Sequence, residues 1–316
     1  MWFLIPILLV TIICDDVSSH PKHHYDLDNA EQLFEDFKKT FNKNYDSAEE
    51  NAKRFENFKS SLKKINELNS DLPTPSYAIN DLSDLSFEEF KMYYTNCYFD
   101  NNATIAAPVI PRKSSAPASL DWRQYGLVTA VKNQGLECGS CFAFAAGAHA
   151  KKTKQLISLS EQQALDCSHG DCVKGGLIDD AISGGSEREE DYPYRAVKGQ
   201  CATQPSKVVV KLTGPIVLPT DENQLAELLY QYGPLGVAMQ TNEAFQHVST
   251  NIVTECSSGK QTGGHAITLI GYGKGMPYWL LKNSWGTSWG DQGYFRLARG
   301  TNACSFPQAA VAAGVQ

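Results

Sequence analysis

Asn133-Gln134-Gly135-Leu136-Glu137-Cys138-Gly139-Ser140-Cys141-Phe142-Ala143-Phe144 is the stretch on which the reading of this chain turns. From Cys141 through Ala150 the residues are small or apolar, a composition that predicts a buried helix with Cys141 at its first position. A cysteine placed there meets unpaired backbone N–H groups and the positive end of the helix dipole, both of which favour the thiolate. With a histidine nearby to keep the proton, the thiol becomes a nucleophile without a strong base. A lone cysteine at such a position is more often a small buried hydrophobe, so the reading depends on what accompanies it.

Downstream, Gly264-His265-Ala-Ile-Thr-Leu-Ile-Gly271, Tyr278-Trp-Leu-Leu281 and Gly293-Tyr-Phe-Arg-Leu-Ala298 are apolar or alternating runs bounded by glycines, the pattern of strands. Lys282-Asn283-Ser284-Trp285-Gly-Thr-Ser-Trp289-Gly follows the second of them. Upstream, Ser158-Leu-Ser-Glu161 reads as a capping box opening another helix. A helical half is therefore expected to precede a β half.

Taken together, the Gln, Gly, spacer, Cys-Gly-Ser-Cys-aromatic segment, the Gly-His strand and the Asn-Ser-Trp segment resemble the papain-like cysteine proteases, in particular the cathepsin L group. His265 and Asn283 follow Cys141 by 124 and 142 positions (265 − 141 and 283 − 141), close to the roughly 130 to 150 typical of such enzymes. The resemblance implies an α+β, papain-like two-lobe fold, a helical lobe plus a β-barrel-like lobe, preceded by an α-helical prosegment. It implies Cys141 as nucleophile, His265 as its proton partner and Asn283 as the group that orients the ring, with Trp285 covering that bond. Gln134 and the Cys141 backbone N–H would serve the oxyanion. Substrate would lie along Gly175 and Gly176, where bare glycine permits close backbone approach. Leu177, Ile178, Ala238, Gly263 and Ala309 would line an apolar pocket for the second side chain before the scissile bond, with Gly264, Trp285 and Trp289 bordering the cleft.

Departures from the family pattern are also present. Phe142 stands where tryptophan is usual, Leu136-Glu137 lengthens the spacer after Gln134 by one residue, Gly264 replaces an Asp or Asn, and Ser305-Phe306 replaces Gly-Ile. The longer spacer puts the reach of Gln134 in question, and together with Gly264 it keeps open an alternative reading, a catalytically weak or inactive binding or storage homologue. Acyl transfer to amines in place of water would use the same three residues. The stretch from Gly176 to Tyr194 carries no His-His insertion of the kind that marks cathepsin B, which favours an endopeptidase.

Met1 to Ile13 is a short apolar run followed by Val17-Ser18-Ser19, a signal-peptide pattern, and it is too short for a membrane anchor of about 20 residues. His20, His23 and His24 beside it are expected to be disordered rather than metal-binding. In an oxidising compartment even sets of cysteine pair. Of nine cysteines, Cys14 would leave with the signal peptide, Cys97 stands apart, and seven lie between Cys138 and Cys304, implying three disulfides and one free thiol. The six partners allow about 15 pairings by sequence alone. The family resemblance selects Cys138 with Cys172, Cys167 with Cys201 and Cys256 with Cys304, leaving Cys141 free. A zinc site lacks a second CxxC or His pair, so no metal and no cofactor are expected.

Between Asn29 and Asn69 two amphipathic stripes are expected, one through Leu33, Phe34, Phe37 and Phe41, the other through Arg54, Phe58, Leu62, Ile65 and Asn69. With Glu50, the second stripe resembles the cathepsin L propeptide signature, Ser61 standing for an Asn; Asn80, Leu82 and Asp84 resemble a second propeptide signature. Protonation of carboxylates such as Asp84 would loosen such a prosegment. The expected organisation is a signal peptide over 1–19, an inhibitory propeptide over 20–115 with a Pro-, Ser- and Ala-rich linker from about 95 to 115, and the mature protease over 116–316. Asn102-Ala103-Thr104 is a glycosylation sequon. The acidic run from Glu187 to Asp191 reads as a solvated face.

A formal net charge of −7 and a pI near 5.5 exclude a phosphate-backbone binder, which needs a basic face. The expected partners are protein and peptide substrates, the chain's own propeptide, and cystatin-like inhibitors, with no nucleic acid and no membrane span. The expected location is the secretory pathway, ending in the lysosome or outside the cell.

Overall fold

In the computed structural model, the described residues are 24–95, 116–146, 156–182, 184–254, 256 and 261–315. The signal-peptide stretch, Cys97, the sequon at Asn102 and the linker expected near 95–115 lie outside them, apart from residue 95 itself. No helix among the described residues is long and apolar enough to cross a membrane.

The N-terminal part is built on α1 (Ala30–Thr40) and α2 (Ala48–Asn69). Leu33, Phe34 and Phe37 are buried from the first, and Phe58, Leu62 and Ile65 from the second, forming one apolar core with Tyr25 and Ile79. Both expected stripes are thus the packed faces, and Ser61 is buried within α2. Ser47 caps α2 by accepting the N–H of Glu50. A third helix, α3 (Phe87–Tyr94), follows and was not expected. Its start is nevertheless written in Ser86-Phe-Glu-Glu89, a reciprocal capping box in which Ser86 accepts from the Glu89 N–H and Glu89 from the Ser86 N–H.

Past residue 116, short helices α4 (Cys141–Ala146), α5 (Glu161–Cys167) and α6 (Ile178–Ala181) gather around Phe142, Leu165 and Ile182. The cap of α5 is a correction: Ser160, not Ser158, accepts the N–H of Gln163. Gln163 itself reaches away to Gly185 and Thr203, so no capping box forms there. The helix α7 (Glu222–Tyr232) lies against the sheet.

Nine strands make that sheet: β1 (Leu120–Asp121), β2 (Gly185–Ser186), β3 (Val210–Val217), β4 (Leu235–Asn242), β5 (Ile252–Val253), β6 (Gln261–Gly273), β7 (Tyr278–Lys282), β8 (Tyr294–Ala298) and β9 (Ala309–Val315). Their order is β2-β3-β9-β4-β6-β7-β8-β5, with β1 joined to β6. Met239 faces His265 in the antiparallel β4/β6 register, and Ala238 lies between Ala266 and Ala309, so β4 joins the histidine strand to the expected pocket residues. A second apolar core, with Trp279, Trp285, Trp289, Phe245, Phe295 and Phe306 fully buried, fills the β half. The three expected disulfides are all formed, Cys138–Cys172, Cys167–Cys201 and Cys256–Cys304.

Candidate active site

His265 is brought to the site by the middle of β6, and Asn283 stands directly after β7, the strand paired with it. This register sets the His265 Nε2 to Asn283 Oδ1 distance at 2.8 Å. Asn283 Oδ1 also accepts the N–H of Ser284 at 2.8 Å, which fixes the amide as an acceptor towards the ring. Trp285 covers the pair, its ring centroid 4.6 Å from that of His265, and is itself fully buried against Trp289 and Phe245. The other ring nitrogen of His265, Nδ1, is buried and without a hydrogen-bond partner. Burial holds the imidazole well below its ordinary range, at about 4, against the smaller opposing pull of the Asn283 bond.

Gln134 is fully buried. Its backbone N–H donates to Ser284 O at 2.9 Å, and its Oε1 accepts from Ser284 Oγ at 2.7 Å. Its Nε2 donates to the backbone carbonyl of Tyr93 at 3.1 Å and, at 3.5 Å, to that of Cys138. The extra residue in the Leu136-Glu137 spacer is accommodated at the surface, where both side chains are exposed, so the bulge does not displace Gln134 inward. Ser284 was missed by the sequence reading although it sits inside the Asn-Ser-Trp segment. Tyr194 was missed too; its hydroxyl lies 2.6 Å from Ser140 Oγ and donates to Gln134 O at 2.9 Å.

Residues 93–95 of the N-terminal part run across this assembly. Tyr94 and Phe90 set their rings edge-on to Trp285 at 5.2 and 5.4 Å. Thr95 O lies so close to Gly263 that a β-carbon there would sit 2.5 Å from it, which accounts for glycine at this position. Burial pushes the Tyr94 hydroxyl far above its ordinary range.

Cys141 is buried at the first position of α4, as expected.

Gly175 and Gly176 are buried, and Gly175 exchanges two backbone hydrogen bonds with Asp171. A β-carbon on Gly176 would sit 2.9 Å from both Gly170 Cα and the Phe142 ring. Packing against Phe142, the residue that replaces tryptophan, therefore requires glycine there independently of any ligand. Ile178 and Ala238 are buried in one apolar cluster with Ala309 packed against it and Leu177 half-buried beside it. Gly264 is buried.

Behind Asn283, Lys132 bridges Glu161 and Glu189, and Lys282 donates to Thr129 Oγ1 at 2.9 Å. A cavity of about 10 Å³, room for one water, is lined by Lys132, Glu161, Lys282, Asn283 and Ser284. Burial pushes Glu161 up to about 8 and Lys282 down to about 8; Glu189, bonded to Glu161 and to the N–H of Tyr194, is held low. The acidic run is accordingly not a solvated face, since Glu187 is fully buried, accepting the N–H of Gln204, and Glu189 belongs to this cluster. No group of three or more metal-ligating side chains occurs among the described residues.

Residues 116–314 match the papain family cysteine protease, and residues 34–90 match the cathepsin propeptide inhibitor domain (I29). The chain is 37% identical over 315 residues to a viral cathepsin of Orgyia pseudotsugata multicapsid polyhedrosis virus, covering 94% of this chain and 95% of that one. It is 38% identical to cysteine proteinase 15A of Pisum sativum, covering 87% of this chain and 84% of the relative. Among solved structures it is similar to digestive procathepsin L 3 of Tenebrio molitor larval midgut, with a TM-score of 0.79 at 33% identity over 90% of this chain and 99% of that one. A recombinant stem bromelain precursor gives a TM-score of 0.78 at 33% identity, covering 91% and 99%.

Proposed function

This chain belongs to the papain family of cysteine proteases and carries a cathepsin-type inhibitory propeptide, and from that premise we propose that it is the zymogen of an endopeptidase working through Cys141, His265 and Asn283. The observation that carries the reading is the 2.8 Å bond from His265 Nε2 to Asn283 Oδ1, which commits the second ring nitrogen to the side away from Asn283. Once freed, the Cys141 thiolate attacks the scissile carbonyl carbon and the C–N bond breaks as His265 protonates the leaving amine. Water, deprotonated by His265, then hydrolyses the thioester and regenerates the thiol. Gln134 Nε2 and the Cys141 N–H are the oxyanion donors, and the bond from Gln134 to a prosegment carbonyl supports that role.

One feature of the full chain supports latency. His265 is fully buried, and burial favours the neutral imidazole, so the thiolate–imidazolium pair is disfavoured in this state. The apolar cluster of Ile178, Ala238 and Ala309 supports aliphatic or aromatic side chains in the second subsite. Processing is placed near Ser115 to Ala118, with residues 1–19 as signal peptide, the 20–115 segment as propeptide and the 116–316 segment as mature enzyme, reached through the secretory pathway and active in lysosomes or outside the cell. Cystatin-like inhibitors fit the same cleft. The storage-homologue alternative rested on the stretched Gln134 loop and on Gly264; the donor contact of Gln134 with Tyr93 O speaks against the first of these grounds.

The test is incubation of the full chain at acid pH with and without reductant. A shortened form near Ser115, cleavage of a peptide only with reductant, and stoichiometric labelling of Cys141 by a thiol-directed epoxide are expected. Absence of cleavage after processing and reduction would refute the reading.

A further inference from the structure

The segment from Glu243 to Asn251 is the surface on which the N-terminal part docks by backbone pairing. Ala78 N donates to His247 O at 2.9 Å, Tyr77 bridges Val248, and Ser249 N donates to Ser76 O at 2.9 Å. On one side Gln246 Nε2 donates to Leu82 O and Leu85 O, while Asn80 Nδ2 returns a bond to Gln246 O. On the other, Asn251 Nδ2 donates to Pro75 O at 2.7 Å. In the middle of this joint lies His247, 2% exposed, with its Nδ1 buried and without a hydrogen-bond partner.

The charged groups facing this ring are few. From the prosegment, α2 presents Lys64, which lies 3.6 Å from Glu243 on the same turn as His247 and also pairs with Glu67 at 3.2 Å. The polar residues around the joint, Asn69 at the end of α2, Tyr77 and Asn80 of the docked segment and Gln246 and Ser249 of the surface itself, are all uncharged. No carboxylate forms an ion pair with His247 among the described residues, and Glu243, on the same turn, is engaged by Lys64.

We propose that His247 is the acid-sensing group of this docking surface: a proton on its ring cannot be accommodated while residues 75–85 cover it, so acid drives the prosegment off. The inference rests on the zymogen reading above and names its trigger. Burial first, and the Lys64 cation second, hold the docked imidazole at about 3, against an ordinary value near 6.5. Departure of the prosegment removes the paired strand and α2, returning the ring to water. The depressed ring is thus a docking contribution complete at neutral pH and lost as pH falls below about 6.5, by about tenfold per pH unit. Between pH 7 and 4.5 the loss amounts to about 100-fold in docking equilibrium.

Two measurements on the full chain test it. In full-length Cys141→Ser, the imidazole resonance of His247, identified by its disappearance in His247→Gln, is expected to titrate at least one pH unit below its ordinary range. A midpoint near 6.5 in the docked chain overturns the proposal, whether or not the enzyme is a protease. In the active chain with reductant, the rate of conversion to the mature form is followed from pH 7 to 4.5 for wild type, His247→Gln and His247→Leu. Both variants are expected to lose most of the acid acceleration, and because the pH ratio is read, a general weakening of docking in either does not mask the result. An unchanged ratio in both variants assigns the trigger to carboxylates and overturns the proposal. Mature peptidase activity of the variants is expected to match wild type, and its absence in wild type would instead refute the protease reading.

Discussion

Replacing Gln134 by alanine separates the contribution of the oxyanion donor from that of the reacting side chains. In the structure the side chain is wholly buried, anchored through Oε1 by Ser284 Oγ at 2.7 Å, with Nε2 aimed at a peptide carbonyl at 3.1 Å. That carbonyl belongs to the prosegment, and on the proposed mechanism substrate takes its place in the mature enzyme. A donor fixed this way needs no reorganisation as negative charge builds on oxygen, and its loss costs about 2.7 to 4 kcal/mol in the transition state, about 100- to 1,000-fold in kcat. Because the ground-state carbonyl is a weaker acceptor than the oxyanion, KM is expected to change by less than about threefold. Ser284→Ala is the graded companion. It keeps Nε2 but removes one neutral hydrogen bond worth about 1 kcal/mol, so a drop in kcat of about fivefold is expected. The assay is steady-state cleavage of a fluorogenic peptide by each processed enzyme, with epoxide titration of Cys141 to normalise active sites. A Gln134→Ala enzyme within threefold of wild type in kcat would show that the donor contact to Tyr93 serves docking alone, and the oxyanion assignment would fall.

Phe90→Ala removes a fully buried ring that meets Trp285 edge-on at 5.4 Å, a change costing about 3 to 5 kcal/mol in a packed core. The reduced zymogen is expected to convert faster at neutral pH by at least about 100-fold, measured by gel densitometry, and a rate within threefold of wild type would refute the anchoring role. Glu161 has its carboxyl pushed up to about 8 by burial, so its neutral form stabilises the fold below the ordinary carboxylate range and this contribution is lost as pH rises through 8. Thermal unfolding of wild type is therefore expected to fall between pH 6 and 9 more steeply than that of Glu161→Gln, and parallel curves would refute it.

Much of this architecture was legible because local patterns and packing agree. The stripes through Phe37 and Phe58, the glycine-bounded strands and the three disulfides all follow from periodicity or from family motifs. What was not legible depended on contacts made across long separations. Helix α3 is only eight residues long, and its amphipathic pattern gains meaning only once Phe90 and Tyr94 meet Trp285. Glu187 and Glu189 look like a surface run in one dimension, but the fold turns Glu189 towards Lys132, 57 residues upstream. Ser160 displaced Ser158 as the helix cap because Ser160 also reaches Tyr192 O at 2.5 Å, a tertiary bond with no local signature.

Trp285 presents its plane to His265 and receives the edges of Phe90 and Tyr94 from the prosegment. One indole therefore serves two clients at once, the His265 ring and the prosegment. Drift at this position would loosen latency and catalysis together, so neither property can be tuned through it alone. The same sharing offers a chemical foothold: a ligand carrying two aromatic edges spaced like those of Phe90 and Tyr94 would contend with the prosegment for Trp285 without needing any reactive group for the thiol.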